Sequence, residues 1–256
     1  MGTTDDEAQA VIQRNAGRPI PVPQRPWASY QSWDNLLMCH WPIDPAILRA
    51  KVPAELEIDL FDQQAWIGLI PMFMGEIRLR DLGGIPTEPH FAELNFRTYV
   101  RYGGRAGVYF FDVYSPALLA DLGARLFFHT PYLPAEIQFD QTDDGGFHFK
   151  SHRELSFPPH AKFEATYRPT GEPFLCKPGS IEEFHAERYS AFAKTFTGGI
   201  VRGDLIHDPW QIQEVDATIQ ENTVLAGAGF DLPEQPVNVH YAKGVQTVLW
   251  TFEAAS

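Results

Sequence analysis

The sequence has little of what marks membrane or nucleic-acid-binding proteins. Its longest apolar runs, such as AWIGLIPMFM at 65–74, are about half the roughly 20 residues that a membrane-spanning helix needs. Lysine and arginine number 20 against 33 aspartates and glutamates, and the net charge of -13 repels phosphate backbones and anionic lipids. We therefore expect neither nucleic acid nor a membrane as a partner. Solubility or a salty habitat would each account for the acidity.

Cysteine is scarce, and a secretory signal is missing. Cys39 and Cys176 lie far apart and match no metal-ligand spacing, so we expect two reduced packing residues. The N-terminus, MGTTDDEAQAVIQRN, is acidic and has neither the basic nor the apolar segment of a signal peptide. These features predict a cytoplasmic protein.

The motifs of several large enzyme classes are also missing. The sequence contains no Gly-x-Ser-x-Gly, no His-Glu-x-x-His, no phosphate loop and no complete dinucleotide fingerprint. His148 and His152 can share one strand face, but at about 13 Å along the strand they are too far apart for one metal ion. We expect no metal and no cofactor.

Composition divides the chain into an arm and one domain. Residues 1–26 begin acidic and end in GRPIPVPQRP, whose four prolines favour an extended N-terminal arm. From residue 27 to residue 256 no repeat or low-complexity block interrupts the chain. We predict a single domain over 27–256.

The domain contains few helix signals and many strand signals. Three short helices are predicted, with Asp44, Ser115 and Ser180 as their N-caps. Alternating or β-branched segments, broken by turns such as YGGRAG at 102–107, DDGG at 143–146 and TGG at 197–199, indicate hairpins. The strand candidates are 58–61, 65–74, 92–101, 107–114, 135–142, 147–153, 162–168, 187–196, 200–206, 211–221 and 245–252. The pattern predicts a β-rich α+β fold, in which an open antiparallel sheet and a barrel remain alternatives.

One strand candidate contains several of the residues that could form a functional site. ELNFRTYVR at 93–101 places two sets of side chains on opposite faces, namely Glu93, Asn95, Arg97, Tyr99 and Arg101 on one and Leu94, Phe96, Thr98 and Val100 on the other. The polar face is either a solvent face or the wall of a cavity. A buried Arg and Glu on that face would have to pair or bind a ligand, because isolated buried charges cost several kcal/mol.

Six blocks in order carry a family resemblance. They are CHWPIDP (39–45), FDQQAWIGLIPMFM (61–74), ELNFRTYVR (93–101), GVYFFDVYSPALLADLGARLFFHTPY (107–132), ERYSAF (187–192) and GDLIHDPWQIQ (203–213). Together they resemble the YqjF-like family of uncharacterised proteins over residues 30–252. That family is similar to the acetoacetate decarboxylase-like superfamily, which implies a central antiparallel barrel or cone around a small cavity.

The resemblance does not carry the superfamily's nucleophile to this chain. In acetoacetate decarboxylases a lysine after a proline forms a Schiff base with the keto acid, and its lowered pKa frees the amine for attack. Here Tyr132 follows Pro131, and the next lysine is Lys150 in another strand candidate. A tyrosine cannot form an imine, so Schiff-base decarboxylation is not expected.

Seven residues are the candidates for a site. If the barrel exists, Arg97 would bind a carboxylate and Glu93 or Tyr132 would donate or accept a proton. Asn95, His40, Glu187 and His207 are further candidates for ligand binding. Because neighbouring residues on a strand face opposite sides, only one of Glu187 and Arg188 can point into the cavity.

Three functional hypotheses remain at this stage. The chain is an enzyme with lyase- or hydrolase-like activity on a small carboxylate or carbonyl compound, a non-catalytic protein that binds or senses such a compound, or a structural or interaction module. The first two have a small-molecule ligand as partner. A homo-oligomer stays an open alternative for all three.

Overall fold

The structure, a computed structural model, describes residues 4–16, 18–80, 90–116, 129–153 and 160–255. None of the helices in these ranges combines the length and apolar composition that crossing a bilayer requires. In chain order the elements are α1 (Thr4–Arg14), β1 (Ser29–Ile43), α2 (Pro45–Arg49), β2 (Glu57–Ile58), β3 (Ala65–Leu79), β4 (Phe91–Tyr102), β5 (Arg105–Ser115), β6 (Tyr132–Pro134), β7 (Glu136–Gln141), β8 (Phe147–Arg153), β9 (Ala161–Leu175), α3 (Ile181–Ala186), β10 (Ser190–Lys194), β11 (Ile200–His207), β12 (Gln211–Asn222), α4 (Val224–Gly227), β13 (Asn238–Leu249) and β14 (Glu253–Ala254).

Seven of the strands close into a ring. The order is β11, β10, β5, β4, β3, β1 and β13, and β11 pairs again with β13 to complete the circle. The closing pairs run from Leu205 opposite Leu249 to His207 opposite Thr247. The predicted β-rich α+β fold with a central barrel is therefore confirmed. The sheet is mixed, however, because β10 and β6 each run parallel to β5.

The main core lies on the outer side of this ring. From β13 the sheet continues through β12, β9, β8 and β7. Leu94, Phe96 and Val100 of β4 belong to one buried cluster with Phe149 of β8 and Phe163 of β9. The apolar face of β4 is thus used by packing. Because side chains alternate along a strand, its polar face turns toward the interior of the ring.

Both predicted helix caps within the described ranges are confirmed. The Asp44 side chain accepts a hydrogen bond from the backbone N–H of Ala46 at 2.8 Å, at the start of α2. The Ser180 hydroxyl accepts one from the backbone N–H of Glu183 at 3.2 Å, at the start of α3. Each cap satisfies a donor that the first helical turn would otherwise leave unpaired.

The predicted turns are also present. Residues 102–107, 143–146 and 197–199 connect β4 to β5, β7 to β8 and β10 to β11. A glycine with positive φ lies in each turn, a conformation that other residues adopt at a cost. The helix predicted to follow Ser115 falls on residues 117–128, which lie outside the described ranges.

The longest omission from the prediction is β1. Its 15 residues include a run from 36 to 41 in which every side chain is buried, so the alternation that identifies a strand disappears. Its pairing register with β3 also shifts after Asp34, next to Asn35 at a φ of 53°. The sequence of a strand that is buried on both faces is apolar throughout, so its pattern does not distinguish a strand from a buried helix.

The extended N-terminal arm is wrong for residues 4–14, which form α1. Its first turn contains acidic residues and its last turn contains Arg14. Both charges interact favourably with the helix dipole. Ala8 and Val11 are fully buried in a cluster with Trp27 and Val248. Burial of this apolar face stabilises a helix that composition alone would not predict. The division into an arm and a domain at residue 27 stays a prediction.

Packing of α1 leads to the first prediction. Val11→Ala should lower the free energy of unfolding by about 2 kcal/mol, because it removes two buried methyl groups and leaves a small cavity. For a chain of this length the melting temperature should fall by roughly 5 °C. Gln13→Ala, on the exposed side of the same helix, is the matched control. Equal melting temperatures for the two variants would mean that α1 does not pack on the domain.

Candidate functional site

The ring encloses a cavity of about 560 Å³. Five of the seven predicted site residues contribute to its wall: Glu93, Asn95, Arg97, Tyr132 and His207. From Glu93 to Arg97 the polar face of ELNFRTYVR therefore lines the cavity, whereas Tyr99 is fully buried outside the wall and Arg101 binds Asp59 at 3.4 Å. We call Glu93, Asn95 and Arg97 the polar stripe. The roles predicted for these residues remain predictions.

Glu93 occupies one end of the polar stripe. Its carboxylate is 4% exposed and accepts hydrogen bonds from the Tyr132 hydroxyl at 2.9 Å and from Asn95 Nδ2 at 2.6 Å. The two donors fix the orientation of the carboxylate within the wall. A carboxylate beside a phenol is an arrangement suited to accepting and returning a proton.

Tyr132 reaches Glu93 because β6 continues along β5. The backbone carbonyl of Pro131 accepts a hydrogen bond from the N–H of Val113 at 3.1 Å, and Val113 lies opposite Tyr132 in the parallel register. Just upstream, His129 has a φ of 47°, which turns the chain toward the sheet. This corner, from His129 to Pro131, thus delivers Tyr132 to the cavity.

Arg97 occupies the other end of the stripe. Its Nη2 donates one long hydrogen bond, 3.3 Å, to the carbonyl of His185, and its Nε is buried with no partner among the described residues. No carboxylate of those residues lies within ion-pair distance of it. Arg97 therefore presents a positive charge to the cavity without a counter-ion among the described residues.

The neighbouring Arg188 provides the contrast. Its Nη1 binds Asp59 Oδ2 at 2.6 Å and its Nε donates to the carbonyl of Phe184 at 2.6 Å. The guanidinium also lies over the rings of Phe184 and Tyr99, at 4.2 and 5.0 Å from their centroids. Arg188 lines the cavity but its charge is already compensated.

His40 lies behind Arg97 and is absent from the cavity wall. Its ring stacks on that of His185 at 3.7 Å between centroids, and its Nε2 is 2.7 Å from the Tyr99 hydroxyl. His185 Nδ1 is 3.3 Å from Asn238 Oδ1. Burial lowers the pKa of both histidines well below its usual value, and the nearby Arg97 lowers each further. The pair is neutral at neutral pH, so Arg97 is the cation at this end.

Glu187 points away from the cavity, contrary to its predicted role in ligand binding. Its carboxylate binds Arg18 at 2.8 Å, accepts a hydrogen bond from the backbone N–H of Trp210 at 3.0 Å and contacts the Tyr189 hydroxyl. It joins the N-terminal segment to the turn before β12. Of the adjacent Glu187 and Arg188, it is Arg188 that points in.

His207 is a wall residue with an internal role. Its Nδ1 lies 2.6 Å from the backbone carbonyl of Asp208, and its ring stacks on Tyr189 at 4.6 Å. Burial lowers the pKa of His207, which keeps the ring neutral. Trp210, which is 3% exposed, lies beside it in the wall, at 5.3 Å between ring centroids.

No lysine reaches the cavity. All six lysines of the sequence fall within the described ranges, and each is exposed on the outside of the protein: Lys51, Lys150, Lys162, Lys177, Lys194 and Lys243. The cavity wall thus contains no amine that could form an imine. In the described part of the chain, no three histidine, cysteine or acidic side chains converge as a metal site would require.

Sequence reasoning missed several residues around the stripe. His185 lies in SIEEFHAE, where the helix signal gives no hint of a stacked partner in a distant strand. The three methionines Met38, Met72 and Met74 line the cavity, although the sequence indicates only an apolar strand. Only strand pairing brings them to the polar stripe: Met72 lies next to Glu93 in the register of β3 with β4, and Met38 lies on β1, the next strand along.

The same fold occurs in solved structures. Acetoacetate decarboxylase from Legionella pneumophila matches with a TM-score of 0.62 at 14% identity, over 96% of this chain and 95% of that chain. An acetoacetate decarboxylase-like enzyme from Sphingomonas wittichii RW1 gives 0.60 at 14%, over 91% and 94%. The enduracididine biosynthesis enzyme MppR, complexed with pyruvate, gives 0.60 at 13%, over 93% of each chain. The fold is acetoacetate decarboxylase-like, and at these identities the likeness concerns the fold alone.

The chain belongs to the DUF2071 family, described as an uncharacterized conserved protein, which matches residues 30–246. It is 39% identical over 240 residues to the uncharacterized protein YqjF of Bacillus subtilis (strain 168), covering 94% of this chain and 98% of that protein. The resemblance to the YqjF-like family is confirmed.

The neutral histidine pair leads to a pH prediction. An unfolded histidine takes up a proton near pH 6.5, whereas His40 and His185 in the folded state do so only at much lower pH. At low pH the unfolded state therefore binds more protons than the folded state. As the pH is lowered from about 6.5, the free energy of unfolding decreases by up to about 1.4 kcal/mol per pH unit for each histidine.

Thermal melts between about pH 7.5 and 4.5 would measure this slope. His40→Gln should flatten it, since one proton-binding difference is removed, while the exposed His160→Gln should leave it unchanged. Parallel pH profiles for wild type and His40→Gln would contradict the prediction.

Proposed function

We propose that this protein binds a small organic anion, a carboxylate or a carboxylated carbonyl compound, inside the ring of strands. Arg97 holds the anion, and Glu93 with Tyr132 forms a proton-handling end of the same cavity. The cavity volume of about 560 Å³ lies in the range typical of small-molecule sites. A structural module with a filled interior would not retain such a space.

The observation that carries this proposal is the state of Arg97. A guanidinium removed from water normally finds a carboxylate, as Arg188 finds Asp59. Arg97 finds none among the described residues and keeps its buried Nε unpartnered. Its planar fork matches a carboxylate in geometry and charge, so a bound anion would supply the missing partner.

The histidine pair behind Arg97 lies outside the cavity wall. The buried His40 Nδ1 and His185 Nε2 have no hydrogen-bond partner among the described residues. Buried polar atoms usually have a hydrogen-bond partner in the protein or in bound water. We therefore expect bound water at these two nitrogens and the ligand at Arg97, which does line the cavity.

Ligand-dependent stabilisation tests the binding. Thermal melts against keto acids, hydroxy acids, short carboxylates and neutral carbonyl compounds should show a rise of roughly 5 °C or more for the anions, because ligand at about 100 times its dissociation constant adds about 2.7 kcal/mol. Arg97→Gln should abolish the rise. Without ligand the variant should melt no lower than wild type, since it removes an uncompensated charge.

Arg168→Gln serves as the matched control. Arg168 is an exposed arginine of β9 that pairs with Asp216 at 3.3 Å, away from the cavity. The control should keep the full ligand response. A rise of the same size in Arg97→Gln, or an equal response to neutral compounds, would exclude Arg97 as the anion site.

A catalytic function is the second candidate, and the Glu93–Tyr132 hydrogen bond favours it. Glu93 would remove a proton from the carbon next to the carbonyl of a bound compound, the electron pair would move to the carbonyl oxygen as an enolate, and the proton would return to carbon. No covalent bond to the protein is needed. Tyr132 would orient the carboxylate and share the proton.

Isotope exchange separates catalysis from binding. In D2O the protein should exchange the hydrogens next to the keto group of a bound keto acid that is long enough to reach Glu93 from Arg97, followed by NMR, and Glu93→Gln should slow the exchange by about 100-fold or more. Glu172→Gln, an exposed carboxylate, is the control. Ligand binding without protein-dependent exchange would leave a non-catalytic binding protein.

A further inference from the structure

The cavity is larger than a small keto acid requires. At roughly 30 Å³ for each non-hydrogen atom, which is the share of one water molecule in the liquid, a seven-atom acid fills about 200 Å³. The cavity has about 560 Å³. More than half of it would remain unfilled by the class of ligand that the sequence suggests.

The remaining wall is apolar. Opposite and beside the polar stripe lie the side chains that we call the apolar sector: Trp33, Leu36, Met38, Met72, Met74 and Trp210. The pairing register places Met72 directly beside Glu93, and Trp33 beside Met74. Trp33 stacks on Trp210 at 6.5 Å between ring centroids. The cavity thus has a polar side and a continuous apolar side.

The other polar wall groups already have partners. Asp204 binds Arg105 at 2.9 Å and Arg202 at 3.0 Å, and His207 contacts the carbonyl of Asp208. Gln31 accepts a hydrogen bond from Trp33 Nε1 at 2.9 Å. None of these three groups needs the ligand to satisfy it.

Methionine is concentrated in this sector. The sequence contains four methionines, and Met38, Met72 and Met74 line the cavity. Methionine side chains are flexible and polarizable, and they adapt to apolar ligands of varied shape. The methionines and Trp210 are mostly buried against one another, at 3–5% exposure, and the parts that border the cavity are apolar. A highly polar ligand would leave this apolar wall in contact with water, which the hydrophobic effect opposes.

The cavity is also elongated along the strands. Arg97 and Glu93 are four residues apart on one face, about 13 Å along β4. Met74 lies opposite Phe91, two residues beyond Glu93. A chain anchored at Arg97 can therefore run past Glu93 with apolar side chains along it.

We propose that the ligand is an amphipathic carboxylate, with its anionic head on Arg97 and an apolar body of about six to twelve carbons against the apolar sector. This inference rests on the proposed anion site and assigns the chemical class of its ligand. The small carboxylate of the proposed function would be the head group of a larger molecule.

A homologous series tests the inference on the unmodified protein. Calorimetric titration with butyrate, hexanoate, octanoate and decanoate should show a dissociation constant that falls about fourfold per methylene, the equivalent of about 0.8 kcal/mol for each buried CH2. Binding should be at one molecule per chain. An affinity that is flat along the series, or greatest for the shortest acid, would overturn the apolar body while leaving the anion site intact.

Two variants, each with a matched control, test where the anionic head and the apolar body of the ligand bind. Arg97→Gln should weaken octanoate at least tenfold and leave 1-octanol unaffected, whereas Arg168→Gln should alter neither. Met72→Trp should shorten the preferred chain by two or more carbons, because the indole occupies part of the apolar side. Leu60→Trp, at a residue 42% exposed, should not.

The results distinguish failure of the proposed anion site from failure of the proposed apolar body. Equal binding of 1-octanol and octanoate, insensitive to Arg97→Gln, would overturn the carboxylate head and with it the proposed function. If no member of either series bound, both proposals would fall. If Met72→Trp proves unfolded by circular dichroism, the chain-length series on wild type still decides.

Discussion

Closure of the seven-strand ring is the constraint on which the cavity depends. Three residue pairs between β11 and β13 complete the circle. Were the sheet open there, the face of β4 that carries Glu93 and Arg97 would meet water, and an unpaired guanidinium would be unremarkable in energy. Inside the ring the same residue is partly removed from solvent with no acidic partner among the described residues, and its charge becomes a reason to bind an anion.

Charge is distributed unevenly around the cavity, because burial keeps some of the titratable side chains neutral. His40 and His185 are held neutral because charging them beside Arg97 and away from water is unfavourable. Arg188 is neutralised by Asp59. Among the described residues of the wall, what remains is one uncompensated cation, Arg97, at one end and a carboxylate held by Asn95 and Tyr132 at the other. Polarity of this kind orients an asymmetric ligand.

The fold is shared with acetoacetate decarboxylases, whereas the chemistry of the wall is its own. With every lysine on the outer surface, an imine route has no nucleophile in this chain. The position after Pro131 carries a tyrosine that binds a glutamate instead. The same strand framework can thus support a different use of the cavity, because function depends on the side chains placed within a fold.

The sequence by itself determined the local features of this protein. Short-range chemistry predicts the turn glycines, the caps at Asp44 and Ser180 and the alternation of β4. The sequence also shows directly that no lysine follows Pro131. Only the tertiary structure decided which face of β4 is enclosed, that Arg188 and not Glu187 points inward, that His40 lies behind Arg97, and that residues 4–14 fold as a helix. These outcomes depend on packing between residues far apart in the chain, such as Val11 in one buried cluster with Val248, or His40 stacked on His185. No pattern within one segment encodes packing of this kind.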